Sequence, residues 1–276
     1  MDDGSNDRSL DIARSFSDPR INIFSDGEHR TLPFRLNQCI KLATGEYFAR
    51  MDADDIAYPD RLSAELQFLQ AHSDVDLVAT YVSTIDDHGK MFGKMQGPTD
   101  HKHIVKRALL GFRMIHPTWM GRLSWFRRYM YSEEATYAQD QELLYRAYRH
   151  SRYAVIPKIL LAYRQDPLSI RKLMRARIVW MQHIKKQLHG PKGLPKKVVV
   201  AGILSLKAAV DLVAVSTGLG YSVLRHRALP VTTREIREYN STMNEILRTY
   251  ITHTGHSHLK GVGIANTPLN EWWFQA

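Results

Sequence analysis

Along the first 165 residues the apolar positions recur with two different periods, and the switches between them lay out a series of elements. DRSLDIARSFS (7–17) and PFRLNQCIKLATG (33–45) carry the i, i+3, i+4 spacing of helices, the second stopped by Gly45. INIF (21–24) and EYFARMD (46–52) read as strands, PDRLSAELQFLQAHS (59–73) as a helix with Pro59 in its first turn, and DLVATYVSTID (76–86) as a strand. HPTW (116–119) marks a loop, AQDQELLYRAYRH (138–150) a helix and AVIPKILLAYR (154–164) a closing strand. Strands alternating with helices predict an α/β fold with a mostly parallel sheet flanked by helices. In such sheets ligands bind beyond the C-terminal ends of the strands, and Asp52, Asp54 and Asp55 stand at one of those ends.

The pattern changes near residue 166, which divides the chain into an α/β region, 1–166, and a mainly helical region, 167–276. RKLMRARIVWMQHIKKQL places Met174, Ile178, Met181, Ile184 and Leu188 at helical spacing among Lys and Arg, and HGPKGLPKK breaks it. The apolar run that follows, 198–227, is interrupted by Lys207 and Asp211, which leaves charge-free stretches shorter than the ~20 residues of a spanning helix. Two readings fit it. One is an interfacial helix or helical hairpin at a membrane surface. The other is a pair of amphipathic helices packed on the first region, with Lys207 and Asp211 paired one turn apart.

Charge sharpens the division. Residues 1–165 hold 22 Lys and Arg against 22 Asp and Glu, whereas residues 166–276 hold 16 against 6, so the whole formal charge of +10 lies in the second region. A basic region implies an anionic partner, an anionic membrane surface or nucleic acid. Nucleic-acid binding has no recognisable motif here, and Trp272, Trp273 and Phe274 cluster only at the far end. The single Cys39 excludes an internal disulfide and a thiolate metal site, and MDDGSND has neither the basic nor the apolar stretch of a signal peptide, so a cytoplasmic location is expected.

The acidic stretch ARMDADDIAYPDRL (49–62) is the candidate for chemistry. Crowded carboxylates raise one another's pKa unless a cation sits among them. A calcium loop is excluded, because counting from Asp52 puts no Gly at the sixth position and Ser63 where the bidentate Glu belongs. A solvated acidic turn before a helix remains the plain alternative.

DDGSND (2–7), LNQCIKLATGEYFARMDADDIAYPDRL (36–62), HPTWM (116–120) and AQDQELLYRAY (138–148) together resemble, in order and spacing, the motifs of family 2 glycosyltransferases. The resemblance covers about residues 2 to 166. It implies an A-type glycosyltransferase fold and sugar transfer, typically inverting, from a nucleotide-diphosphate donor to an acceptor glycan or lipid-linked sugar, as in cell-surface polysaccharide or glycoconjugate synthesis. It further implies that Asp3 accepts a hydrogen bond from the nucleotide base, that Asp52 contacts the ribose, that Asp54 binds Mg2+ or Mn2+ on the diphosphate, and that Asp140 is the general base. His116 sits where the family has an acceptor-side loop and would touch acceptor or diphosphate. Arg50 and Arg61 flank the acidic stretch, within reach of it or of phosphate oxygens. Arg164 matches a family position without an assigned role.

Two departures stand out. Gln139 occupies the place of the usual Glu before the base. Family members also begin with a strand, helix and second strand ahead of the DDGS turn, whereas Met1 directly precedes Asp2, so roughly 40 residues on βαβ arithmetic are expected to be absent from the front. That expectation carries a second class of function, a non-catalytic relic or accessory nucleotide-binding protein.

Overall fold

The structure, a computed structural model, describes residues 1–165, 169–187, 194–219 and 228–254. Its centre is a six-stranded sheet: β1 (Tyr47–Ala49), β2 (Ile56–Ala57), β3 (Leu77–Ile85), β4 (Met91–Met95), β5 (Met120–Arg122) and β6 (Tyr153–Arg164), in the order β1-β5-β3-β6-β2, with β4 on the same edge of β3 as β5. The helices are α1 (Ser9–Arg14), α2 (Leu32–Leu42), α3 (Arg61–Ala71), α4 (His101–Val105), α5 (Leu123–Tyr129), α6 (Gln139–Ala147), α7 (Ile170–Gln187), α8 (Leu194–Ser216) and α9 (Thr233–Thr254).

The α/β class holds, but the expected mostly parallel sheet is mixed. β3 and β6 pair in parallel over the longest ladder, while β1–β5, β2–β6, β3–β4 and β3–β5 are antiparallel. The antiparallel strands are the short ones, of two to five residues, whose period is too brief to register in sequence. INIF at 21–24 forms no strand, and Pro59 lies just before the N-cap of α3, Asp60, rather than in its first turn.

β3 is buried on nearly every residue, as a central strand covered on both faces should be. Its alternation sorts the core. Leu77 and Ala79 join Leu36 and Ile40 of α2, Phe126 of α5, Leu143 and Leu144 of α6 and Tyr153 of β6 in the larger cluster, while Val78 packs with Leu69, Met120, Ala154 and Ile156 on the other face. Trp180 and Ile184 of α7 and Val200 and Leu204 of α8 belong to that same larger cluster, so these helices share the α/β core. α9 closes the far end of the sheet, where Tyr239 and Met243 pack on Ile85, Met91 and Ala162.

Candidate active site

The acidic residues occupy the turn between β1 and β2, which is tied down from below. The Arg50 N–H donates to the Trp119 carbonyl at 2.8 Å, and the Arg50 carbonyl accepts from Arg61 Nη2 at 2.6 Å. Arg61 is itself buried against Glu65 one turn along α3, Nε to Oε1 at 3.3 Å. Burial, opposed by the Arg61 guanidinium, pushes the Glu65 carboxyl up to about 7. From above, Arg164 at the end of β6 clamps the turn: its N–H donates to Asp55 Oδ1 at 2.8 Å and its Nε to the Asp54 carbonyl at 3.0 Å.

Held this way, Asp52, Asp54 and Asp55 bring carboxylate oxygens within 4.8 Å of one another. Asp54 is exposed, Asp52 half-buried and paired with Arg50, and Asp55 buried. The second Asp55 oxygen, Oδ2, is buried without a hydrogen-bond partner. Burial raises the Asp52 carboxyl, against the pull of Arg50, and raises Asp55 to about 7, with the charges of Asp54 and Asp52 adding to it. A turn with three carboxylates and an orphaned buried oxygen is short of positive charge. Hard oxygen ligands of this number suit Mg2+ or Mn2+, which are held by one or two carboxylates plus substrate phosphates.

Beside the turn lies a cleft of about 410 Å³ lined by Lys94, Gln96, Arg113, His116, Asp140, Gln141, Tyr163 and Leu229 among others. Tyr163 joins the two features: it lines the cleft, and burial together with the Asp55, Asp52 and Asp54 charges pushes its hydroxyl up to about 12. Asp140 opens α6 and is close enough to Asp52 to add to the rise of that carboxyl. Its Oδ2 accepts from Gln141 Nε2 at 2.8 Å, and Gln141 is fixed in turn by the Phe112 N–H donating to its Oε1 at 2.6 Å. His116 is buried in the 3-10 turn 116–118, edge-on to Trp119, with Nε2 and the Tyr131 hydroxyl 2.8 Å apart. Burial and then Arg50 hold its pKa well below the usual histidine range, so its charged form is disfavoured where it meets the cleft.

The fold thus places Asp140 and His116 in the cleft wall, with the turn of Asp52 and Asp54 near enough for its charges to act on Tyr163 and Asp140. Asp3 stands in a different network: its Oδ1 accepts from Arg35 Nε at 2.7 Å and from the Arg30 N–H at 2.8 Å, with His29 Nδ1 at 3.2 Å from Oδ2. Burial works upward on its carboxyl, but Arg35, Arg30 and His29 keep it below the ordinary range. Sequence reasoning missed Gln141, Tyr131, Tyr163 and Asp55's separate part. The adjacency of Gln141 to Asp140 was the only local signal; Tyr131 and Tyr163 come from segments remote in sequence. Arg164, placed by resemblance without a role, is the clamp of the acidic turn.

Residues 1–130 match the family model described as glycosyl transferase family 2. The chain is 26% identical over 169 residues to the uncharacterized glycosyltransferase MJ1057 of Methanocaldococcus jannaschii, covering 59% of this chain and 58% of that protein. It is 30% identical over 86 residues to the amylovoran biosynthesis glycosyltransferase AmsE of Erwinia amylovora, covering 26% of this chain and 32% of that one. Among solved structures, the mannosyltransferase PcManGT from Pyrobaculum calidifontis, in complex with GDP-Man and Mn2+, aligns over 99% of this chain and 77% of its own at 14% identity and a TM-score of 0.49. The chain spans about half the length of the curated relatives it matches, 58% of one and 45% of another. The acidic turn and the His116 wall of the cleft both lie inside the matched span, so residues 1–130 of this α/β chain carry the likeness to glycosyl transferase family 2.

Proposed function

We propose that the chain transfers a sugar from a nucleotide-diphosphate donor to an acceptor hydroxyl, with inversion, using a divalent metal on the acidic turn and Asp140 as general base. The observation that carries the reading is a turn of three carboxylates with one Arg50 ion pair and an orphaned buried oxygen, beside a cleft into which a separate carboxylate is held by its own clamp. Asp54, exposed at the turn, would hold Mg2+ or Mn2+, with Asp55 beside it. Such an ion, when bound, offsets the charge that develops on the leaving diphosphate. Asp140 accepts the acceptor hydroxyl proton as that oxygen attacks the anomeric carbon; the new C–O bond forms on the face opposite the breaking bond to diphosphate. Gln141 keeps the carboxylate turned towards the cleft, which is the positioning a base requires. His116 offers a neutral hydrogen bond to acceptor or diphosphate, and Asp3, on release of Arg35, a contact for the base of the nucleotide, with Asp52 on the ribose. The acceptor class is a glycan or lipid-linked sugar; the naming of AmsE for amylovoran biosynthesis supports a role in polysaccharide or glycoconjugate synthesis.

The experiment compares Asp54→Asn with Asp140→Asn over a panel of UDP- and GDP-sugars with Mn2+, reading donor affinity by calorimetry and turnover by release of nucleoside diphosphate. Asp54→Asn should lose metal-dependent donor binding and turnover together, since an amide cannot replace carboxylate charge on a divalent ion. Asp140→Asn should keep donor affinity and lose roughly 10²–10⁴-fold in rate. Unchanged turnover in Asp140→Asn removes the base, and retained metal-dependent binding in Asp54→Asn removes the metal ligand.

A further inference from the structure

α8 is about 35 Å long at 1.5 Å per residue and turns only a narrow stripe inward. Val200, Leu204, Asp211 and Ala214 are buried, at the spacing of one helical face. The rest of the helix is open, with Val198 at 62%, Leu206 at 68% and Val213 at 59% exposure, and Val199, Val210 and Leu212 beside them. Exposed apolar area of this continuity marks a binding surface.

The identity of the partner follows from charge and residue type. α7 and α8 together carry nine Lys and Arg and a single acid, Asp211. That acid is buried and ion-paired with Arg177 of α7, so the pair turns the only negative charge of the hairpin inward. The expected one-turn pair of Lys207 with Asp211 is therefore not formed by Asp211 as its salt bridge; Arg177 takes that place, and Lys207 is exposed. The open face offers aliphatic, small and hydroxyl residues with Lys207 and no aromatic or Arg anchor of the kind that dominates protein–protein hot spots. Apolar insertion beside positive charge is the chemistry of an anionic bilayer surface. Val200 and Leu204, sharing the core with Trp180 and Ile184, tie the opposite face of α8 to the protein. By length and composition α8 could cross a membrane, but the packing of one face on the α/β core favours a helix lying along the interface.

We propose that the exposed face of α8 is a membrane-docking surface that inserts into the interface of anionic bilayers. It stands on this helix alone and is independent of the transferase reading. The test is flotation of the full chain with vesicles of phosphatidylcholine and phosphatidylglycerol, compared with phosphatidylcholine alone, at low and high salt. The wild type should float with the anionic vesicles and less so as salt rises. Leu206→Glu with Val213→Glu should weaken partition by at least about tenfold, given what burial of one aliphatic side chain contributes, with the thermal melt unchanged. If that pair lowers the melt, Leu206→Ser with Val213→Ser asks the same question without added charge. Absence of wild-type flotation, equal flotation of the variants, or a lipid-free dimer that the variants convert to monomer would each overturn the proposal, the last by assigning the face to a second copy.

Discussion

At the scale of single residues, the candidate site rests on groups that are uncomfortable where they stand. Glu65 is fully buried beneath the acidic turn, with Oε2 lacking a partner and its carboxyl raised to about 7 by burial against the pull of Arg61. Its folded pKa exceeds its unfolded one, so the stabilising effect of its protonated form is complete below about 4.5 and is lost as pH rises through about 7. Asp55, also raised to about 7, acts in the same direction from 3.8 upward. The melting temperature in a chelator should therefore fall as pH is raised from about 4 to about 7 and level off above, and Glu65→Gln should flatten part of that slope. A melt independent of pH over that window would show that these carboxyls are not raised. Added Mn2+ should recover stability at the upper end through Asp55 and its neighbours, and Glu65→Gln should leave that recovery in place, because Glu65 is no part of the acidic turn.

Between elements, the most consequential contact is Arg177 of α7 with Asp211 of α8, joined where Asp211 is wholly buried. Removing one partner of a buried pair costs up to roughly 3–5 kcal/mol, and Asp211 keeps a further contact that offsets part of it. Arg177→Met should accordingly lower stability by up to that amount, read by denaturant unfolding, whereas exchanging both for apolar residues, Arg177→Met with Asp211→Leu, should recover most of it. A single variant as stable as the wild type would mean that the remaining contact of Asp211 compensates for Arg177. Long elements were legible: the helices at 32–42, 61–71, 139–147 and 170–187 and the strands at 77–85 and 153–164 fall close to their sequence-based positions, because each runs long enough to show its period. The short strands β2, β4 and β5 were not, since two to five residues carry no period and their partners lie far along the chain. α9 was missed although its Thr232 and Glu235 form a reciprocal cap, Thr232 N–H to Oε2 at 2.8 Å and Glu235 N–H to Oγ1 at 3.2 Å, a pattern visible in TTRE. In the site, Asp54 and Asp140 were legible as motif residues, but the clamp by Gln141 and Arg164 depends on contacts between remote segments.

At the scale of the whole molecule, the C-terminal region returns to the cleft. Leu229 exchanges two backbone hydrogen bonds with Lys94 of β4, at 3.0 and 2.8 Å, and both residues line the cleft wall. Lys94 Nζ is also held by Glu235 of α9 at 2.6 Å. Leu229 follows the exposed Leu219, which lies three residues past the end of α8, by ten residues. One run of chain thus has a proposed lipid contact at one end and the wall of the candidate cleft at the other. Two ligands that bias a common segment obey a thermodynamic cycle, in which each must alter the affinity of the other by the same factor. If anionic vesicles tighten donor binding, donor with Mn2+ should tighten vesicle partition equally, and calorimetry and flotation on the same sample can check both arms. Equal factors above one would make a bilayer surface a regulator of how readily the cleft fills, while a factor of one in both directions would show that the Lys94–Leu229 seam isolates the cleft from α8.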